Sequence, residues 1–185
     1  MKDINNSLKL WLDELDRYEL TSYEKLPDID LYMDQMITYL ERNLNTFAIS
    51  SLDKQITSSM INNYVKADCI PNPVLKKYNK EHIALILEIC LLKRAANISD
   101  IKQILDSNYK NTDFKETYND FVNKTNATLH KVSAETREKL GSIETNNQDE
   151  LLKLALDLSL VANANMIIAN RIFSYIKIQN DLKEE

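Results

Sequence analysis

A ten-residue stretch, residues 57–66, carries the side chains best suited to recognising another molecule. At helical spacing its apolar residues fall on one side, and the other side is polar but nearly uncharged. The polar side consists of Ser58, Ser59, Asn62, Asn63 and Lys66. Hydroxyl and amide groups exchange hydrogen bonds with base edges in the major groove of DNA, and a lysine at the margin holds phosphates. The alternative is an ordinary exposed helix face, although such faces are usually richer in Glu and Lys.

Two further lysines, Lys76 and Lys77, lie in a segment that predicts a short basic hairpin suited to phosphate contact. Across residues 54–94, seven basic residues stand against three acidic ones, a local charge of +4 in a chain of net charge -5, which leaves -9 elsewhere. Affinity for phosphates comes from such local clusters. A solvated face with chance asymmetry is the alternative. Tyr78 is either part of this surface or a core anchor.

The candidate reading helix has predictable ends. Thr57 is the expected N-cap, because its hydroxyl can accept from a free amide of the first turn. The helix must end before Pro71, and Pro73 keeps the following residues extended.

The helix that follows should form the centre of this unit. It begins at Asn79 or Lys80, and residues 83–92 are apolar nearly all round, which is typical of a buried helix. A shorter helix over residues 100–105 should come next, with Ser99 as its cap.

One glycine and three prolines in 185 residues predict long helices with few tight turns, so the fold class is all-α. Apolar periodicity predicts amphipathic helices over about residues 6–20 and 29–44, followed by a loop over 45–55. Residues 114–132 and 149–181 predict two more helices, joined through a stretch that contains Gly141, as an antiparallel helical hairpin.

Other kinds of chemistry find little support in the chain. Cys69 and Cys90 are far apart and have apolar neighbours, which suits buried free thiols. His82 is expected to hydrogen-bond locally. We therefore predict no enzyme activity, no cofactor and no metal. The N-terminus lacks a secretory apolar core, and residues 154–178 are interrupted by Asp, Asn, Arg and Lys, so we expect a cytoplasmic protein with no membrane partner.

The middle of the chain resembles the winged helix-turn-helix of the mercury-resistance-regulator (MerR) family. The segments that carry the resemblance are Asn62-Asn63-Tyr64, Asp68-Cys69-Ile70-Pro71, Lys76-Lys77-Tyr78, Glu81-His82-Ile83 and Asn97-Ile98-Ser99-Asp100-Ile101-Lys102. The resemblance implies that Asn62, Asn63 and Lys76 contact DNA. It assigns framework positions to Tyr64, Ile70, Tyr78, Ile83, Ile98 and Ile101.

Residues 26–106 are more closely similar to an uncharacterised bacterial family, DUF1836, a resemblance that implies a regulator. We accordingly predict three parts: an N-terminal helix over residues 1–25, a MerR-like winged helix-turn-helix over 26–106, and a helical dimerisation or effector region over 107–185.

The function that these features favour is a DNA-binding transcriptional regulator. It should bind double-stranded DNA as a homodimer, because the apolar density of residues 151–178 exceeds what one neighbouring helix covers. The alternative to a dimer is that residues 1–44 fold back over that apolar surface within one chain. The predicted DNA contacts are Ser58, Ser59, Asn62, Asn63, Lys66, Lys76 and Lys77. The alternative is a helical protein-protein interaction module with a vestigial winged-helix scaffold. The effector, if there is one, is not predicted.

Overall fold

The computed structural model describes residues 3–47 and 56–184. Within these residues the chain forms seven α-helices and one two-stranded antiparallel sheet. The elements in chain order are α1 (Ile4–Arg17), β1 (Leu31–Tyr32), α2 (Met33–Leu44), α3 (Ser58–Lys66), β2 (Lys77–Tyr78), α4 (Lys80–Leu92), α5 (Ile98–Tyr109), α6 (Phe114–Gly141) and α7 (Gln148–Glu184). Short 3-10 turns cover Tyr23–Lys25 and Asn45–Phe47. The mostly α-helical architecture is therefore confirmed.

The chain divides into two compact units, residues 14–130 and residues 1–13 with 131–185. The first unit is built around α4, whose residues from His82 to Cys90 are all buried. Fully buried side chains from other helices surround it, among them Met36 of α2, Ile61 of α3, Ile101 of α5 and Tyr118 of α6. A helix apolar all round must be covered on every side, so the prediction of a central α4 is confirmed.

The small sheet joins two distant parts of the sequence. Leu31 pairs with Tyr78 and Tyr32 with Lys77, in antiparallel register. The predicted helix over 29–44 therefore begins only at Met33, because the residues just before it are used as strand β1. Periodicity over so short a stretch cannot separate a strand from a helix end.

The predicted hairpin is present at residues 74–78. Val74 and Lys77 exchange two backbone hydrogen bonds, with N–O distances of 3.1 and 2.9 Å. The two residues between them, Leu75 and Lys76, have φ values of 50° and 63°. Positive φ at both central positions is the pattern of a type I′ turn, which usually employs Asn or Gly. Here the turn forms without glycine.

Capping side chains set where the helices begin. Thr57 Oγ1 accepts from the Met60 amide at 3.3 Å, so its predicted role as N-cap of α3 is confirmed. The prediction of Ser99 as the next cap is wrong. Asn97 caps α5 by accepting from the Asp100 amide at 3.0 Å, and the Ser99 hydroxyl donates to the same Asn97 oxygen. An Asn two residues earlier can reach the free amide, so α5 is longer than predicted.

The second unit contains the start of α1, the end of α6 and all of α7. Its core is a cluster of Leu12, Leu140 and Leu154, with Leu8, Ile143 and Leu151 packed against it. The predicted pair of C-terminal helices is present. Beyond Leu154, however, the α7 side chains are exposed, apart from the half-buried Ala169 and Phe173 and the last residues, whose burial is not described. Among the described residues, no neighbouring helix buries the apolar side chains of α7 beyond Leu154.

Candidate nucleic-acid interface

The polar face of α3 is turned outward. Ser58, Ser59, Asn62, Asn63 and Lys66 are all exposed. On the opposite side of the helix, Ile61 is fully buried and Tyr64 is 5% exposed. Burial raises the pKa of Tyr64 to about 12, so this ring stays neutral and serves the core. The 3.6-residue period thus separates a packing side from a free side, as the sequence predicts.

Both ends of α3 are fixed. Beyond the Thr57 cap at its start, the helix ends in a Schellman motif: the Cys69 amide donates to the Tyr64 carbonyl at 3.0 Å, and the Asp68 amide to the Val65 carbonyl at 3.0 Å. Asp68 takes the left-handed position with φ 59°. Lys102 of α5 donates from Nζ to the Asp68 carbonyl at 3.0 Å. The exposed face is therefore held on a short but well-anchored helix.

The hairpin presents its lysines differently. Lys76 is exposed at the turn, whereas Lys77 is half-buried with its Nζ 5.2 Å from the centre of the Tyr32 ring. Val74 and Leu75 beside them are 70% and 86% exposed. Two cations and two aliphatic side chains therefore form the tip of this hairpin.

Tyr78 and His82 belong to the framework behind the hairpin. Tyr78 is 3% exposed, and its ring meets the His82 ring edge-on at 5.5 Å between centroids. The His82 amide donates to Asn79 Oδ1 at 3.1 Å, and the Asn79 amide donates to His82 Nδ1 at 3.2 Å. Burial lowers the pKa of His82, which favours the neutral ring. Of the two roles considered for Tyr78, the core anchor is confirmed, as is local hydrogen bonding by His82.

Several basic residues of the +4 segment make contacts within the chain. Lys80 pairs with Asp28 and lies over the Tyr23 ring, 5.1 Å from its centre. Arg94 donates to the Phe47 carbonyl at 3.1 Å. Lys54 lies outside the described residues. The cations left most open toward solvent on the candidate surface are accordingly Lys66 of α3 and Lys76 of the hairpin.

A buried carboxylate that no sequence motif marks lies in the central helix α4. Glu88 in α4 is 1% exposed and accepts a hydrogen bond from the Tyr109 hydroxyl of α5. Its Oε2 has no hydrogen-bond partner among the described residues. Burial raises the pKa of Glu88 to about 7, against the opposing effect of the Tyr109 hydrogen bond. The only signal in the sequence is one acid within the otherwise apolar run of α4.

Possible metal ligands and the apolar helix α7 are the remaining features of the described residues. They contain no group of three or more His, Cys, Asp or Glu side chains placed to hold a metal ion. Residues Gln148–Leu182 of α7 are long and apolar enough to span a membrane, judged by length and composition alone, and an apolar stretch of 18 residues within them is only 6% buried.

The described chain is thus a mostly α-helical protein in which a polar helix and a basic hairpin flank one buried central helix. Residues 21–121 match the family described as Domain of unknown function (DUF1836), which is more than half of the 185-residue chain. The chain belongs to this family. Searches of curated proteins and of solved structures give no match. The match extends beyond the resemblance predicted over 26–106, since it takes in the first turns of α6.

Proposed function

We propose that this protein is a DNA-binding transcriptional regulator that uses α3 and the hairpin as a MerR-like winged helix-turn-helix and acts as a homodimer. The observation that carries the proposal is the exposed Ser, Asn and Lys face of α3, held against a buried core. Such side chains can accept from and donate to base edges in the major groove. In this proposal the protein works in the cytoplasm on double-stranded DNA and needs no cofactor or metal.

The way α3 is anchored supports a reading role. Its buried side chains and its two capped ends fix the helix before any partner arrives, so little ordering would be needed on binding. Seryl side chains in the first turn and amides in the second are short, and they let the helix backbone approach the groove closely. Lys66 at the end of the helix is suited to a phosphate at the groove margin.

The position of the hairpin supports the winged arrangement. Strand β1 leads directly into α2, and its partner β2 lies next to α4, so the sheet fastens the hairpin to two helices that also pack on each other. The exposed Lys76 can meet phosphate next to the groove that α3 would occupy. The element order of helix, reading helix, hairpin and buried helix agrees with the family resemblance noted above.

The test is selection of genomic fragments by the purified full chain at low salt, followed by sequencing of what is retained. We expect enrichment of a defined set of fragments. The double substitution Lys66→Ala with Lys76→Ala should abolish retention, because it removes two phosphate contacts. Lys124→Ala is the matched control, since Lys124 is an exposed lysine of α6 and belongs to neither α3 nor the hairpin. Absence of any retained fragment, or equal loss with the control, would contradict the proposal.

A second function is favoured by one observation. The exposed apolar surface of α7 is larger than a lone soluble helix normally presents, which suits a protein-protein interaction module built on a vestigial winged-helix scaffold. Recovery of a stable complex with another protein, together with no retained DNA, would favour this function over the regulator.

A further inference from the structure

Six of the thirteen exposed large apolar residues described in α7 fall on a seven-residue repeat, and the other seven lie off it. One series of positions, spaced alternately by four and three residues, is apolar at most steps, and its members are Leu154, Leu158, Val161, Asn165, Ile168, Ile172, Tyr175, Gln179 and Leu182. We call this series the seam. In heptad terms Leu158, Asn165, Ile172 and Gln179 occupy the a positions, and the others occupy d. Between residues 154 and 182, three of the four f positions on the far side of the helix are polar, namely Asn163, Asn170 and Lys177, whereas the fourth is Leu156.

The seam is buried at its first residue, Leu154, and its apolar residues are exposed from Leu158 onward. Leu154 is 7% exposed because it lies in the cluster with Leu12 and Leu140. From Leu158 to Leu182 the apolar seam side chains are exposed by 37 to 68%. Residues 155–182 form about 42 Å of helix at 1.5 Å per residue. A strip of that length matches four heptads, enough for a two-stranded coiled coil to form a stable interface.

We infer that α7 pairs with α7 of a second copy of this chain as a parallel two-stranded coiled coil, in which Asn165 faces Asn165 of the partner subunit. This pairing defines the helix register of the homodimer in the proposed function. The evidence for the pairing comes from α7 alone and does not depend on DNA binding. The occupant of the exposed seam is thus another copy of the same helix.

The two polar seam residues decide the orientation. In a parallel pair each a residue faces its own copy, so Asn165 and Gln179 each meet an identical amide, and one amide can donate to the other. In an antiparallel pair a faces d, which would set Asn165 against an aliphatic or aromatic side chain and leave its amide without a partner. Only the parallel arrangement satisfies both polar layers.

The flanking positions are compatible with this pairing. The g residues Asp157 and Arg171 would lie beside Ala162 and Ile176 at the e positions of the partner helix, so no like charges oppose each other. Ala155, Ala162 and Ala169 at e allow the helices to approach closely.

A membrane is a poorer occupant of the same surface. The span Gln148–Leu182 would place Asn163, Asn165 and Asn170 with Arg171 near the middle of the bilayer. Polar and charged side chains at that depth are costly in hydrocarbon. In the coiled coil, by contrast, two of these amides point to solvent and one pairs with its copy.

The experiment compares two neighbouring isoleucines in the full chain. Ile168 at d and Ile167 at c are 61% and 60% exposed, so they differ only in their place in the repeat. Mass measurement by light scattering should give twice 21.5 kDa for wild type and for Ile167→Asp. Ile168→Asp should weaken the dimer by roughly 100-fold, because it places a charge in the seam. Equal behaviour of the two variants, or a wild type that stays monomeric at every concentration, overturns the inference.

Orientation is tested with cysteines at the same two positions. Ile168→Cys should form a disulfide-linked dimer under mild oxidation, since identical d residues meet in a parallel pair, whereas Ile167→Cys should not. The native Cys69 and Cys90 are each 5% exposed and should not interfere. A dimer by mass that resists cross-linking through position 168 would overturn the parallel register. Flotation of the wild type with vesicles of phosphatidylcholine and phosphatidylglycerol would assign the seam to a membrane instead. Because both readouts omit DNA, their failure is distinct from failure of the regulator proposal.

Discussion

Asn62 and Lys66 lie on the same exposed face of α3, yet they should act differently on DNA. An amide that reads a base edge sets sequence preference, whereas a lysine that holds a phosphate adds affinity for every sequence. We expect Asn62→Ala to change the preferred base at one position, with a loss of discrimination of about 1–3 kcal/mol. Lys66→Ala should weaken all sequences alike and lower the salt slope by about one. Titration of matched and altered sites at several salt concentrations measures both effects.

The control for this pair is again Lys124→Ala, which should leave preference and salt slope unchanged. If Asn62→Ala and Lys66→Ala both weakened all sequences by the same factor, the assignment of separate reading and phosphate-binding roles would fail.

Glu88 should make the fold less stable at neutral and alkaline pH. Burial raises its pKa from 4.5 to about 7, so between these values the folded chain binds a proton that the unfolded chain releases. The free energy of unfolding should therefore be highest near or below pH 4.5, as far as this group decides it, and fall as pH rises to about 7. The loss is at most about 3 kcal/mol. Urea unfolding of Glu88→Gln at pH 5 and pH 8 should show this dependence largely removed.

Glu81 provides the comparison for that measurement, because it is an exposed carboxylate on the same helix. Glu81→Gln should keep the wild-type fall in stability between the two pH values. A Glu88→Gln protein that lost stability between pH 5 and pH 8 as steeply as wild type would show that this carboxyl does not carry the effect.

For individual residues, the sequence predicts well which side chains of α3 are buried and which are exposed. It predicts the surroundings of Glu88 poorly. The α3 pattern repeats over two and a half turns within one segment, so period alone assigns Ile61 and Tyr64 to the core. The partner of Glu88 is Tyr109, on a different helix. No local pattern reports that such a pair will meet.

Among the elements, the hairpin turn contains backbone strain that a glycine would relieve. Leu75 adopts the left-handed backbone conformation with φ 50°, and its side chain is 86% exposed. Burial of the side chain therefore does not offset the strain of that conformation. Leu75→Gly should raise the free energy of unfolding by about 1 kcal/mol, because non-glycine residues lose about 1–2 kcal/mol in this region. Thermal or urea unfolding measures it. Val74→Gly should instead lower stability by about 0.5–1 kcal/mol, since Val74 lacks positive φ. Equal losses in the two variants would contradict this account of the turn.

The helices follow from the sequence more completely than the strands. Amphipathic or all-apolar runs of ten or more residues predict α2, α4 and α7. Strand β1 has two residues and exists only because β2 lies beside it. Its pairing depends on the position of a hairpin more than forty residues along the chain, which no window on residues 29–44 contains. The choice between Asn97 and Ser99 is a local one: both residue types are good caps, so residue type alone favours neither, and the structure uses Asn97.

For the whole molecule, dimerisation and DNA binding can be separated by one variant. If two subunits occupy two half-sites about 34 Å apart, joining them raises the effective concentration of the second contact. Ile168→Asp should then lose about 100-fold affinity for a paired site and little for a single half-site. Ile167→Asp should bind both as wild type does. Competition binding with the two DNAs measures the ratio.

Loss of binding to single half-sites by Ile168→Asp would show instead that the substitution damages the reading unit. An unchanged ratio between paired and single sites would separate the seam from DNA recognition altogether.

The division of the chain into compact units is the feature that the sequence predicts least well. The predicted boundaries after residues 25 and 106 follow composition and remain predictions. The compact units, by contrast, join residues far apart in the chain, since Leu12 packs with Leu140 and Leu154. Apolar residues at helical spacing show that one side of a helix is buried, but they do not show which other helix packs against that side.

The pairing of Leu31–Tyr32 with Lys77–Tyr78 also orders events while the chain is being made. The first strand leaves the ribosome early and has nothing to bind until the second has emerged, by which time all of α3 is outside the exit tunnel. The hairpin therefore cannot pair with strand β1 before α3 has left the tunnel. A nascent chain arrested before Tyr78 would carry the helix without the strand that seats the hairpin beside it.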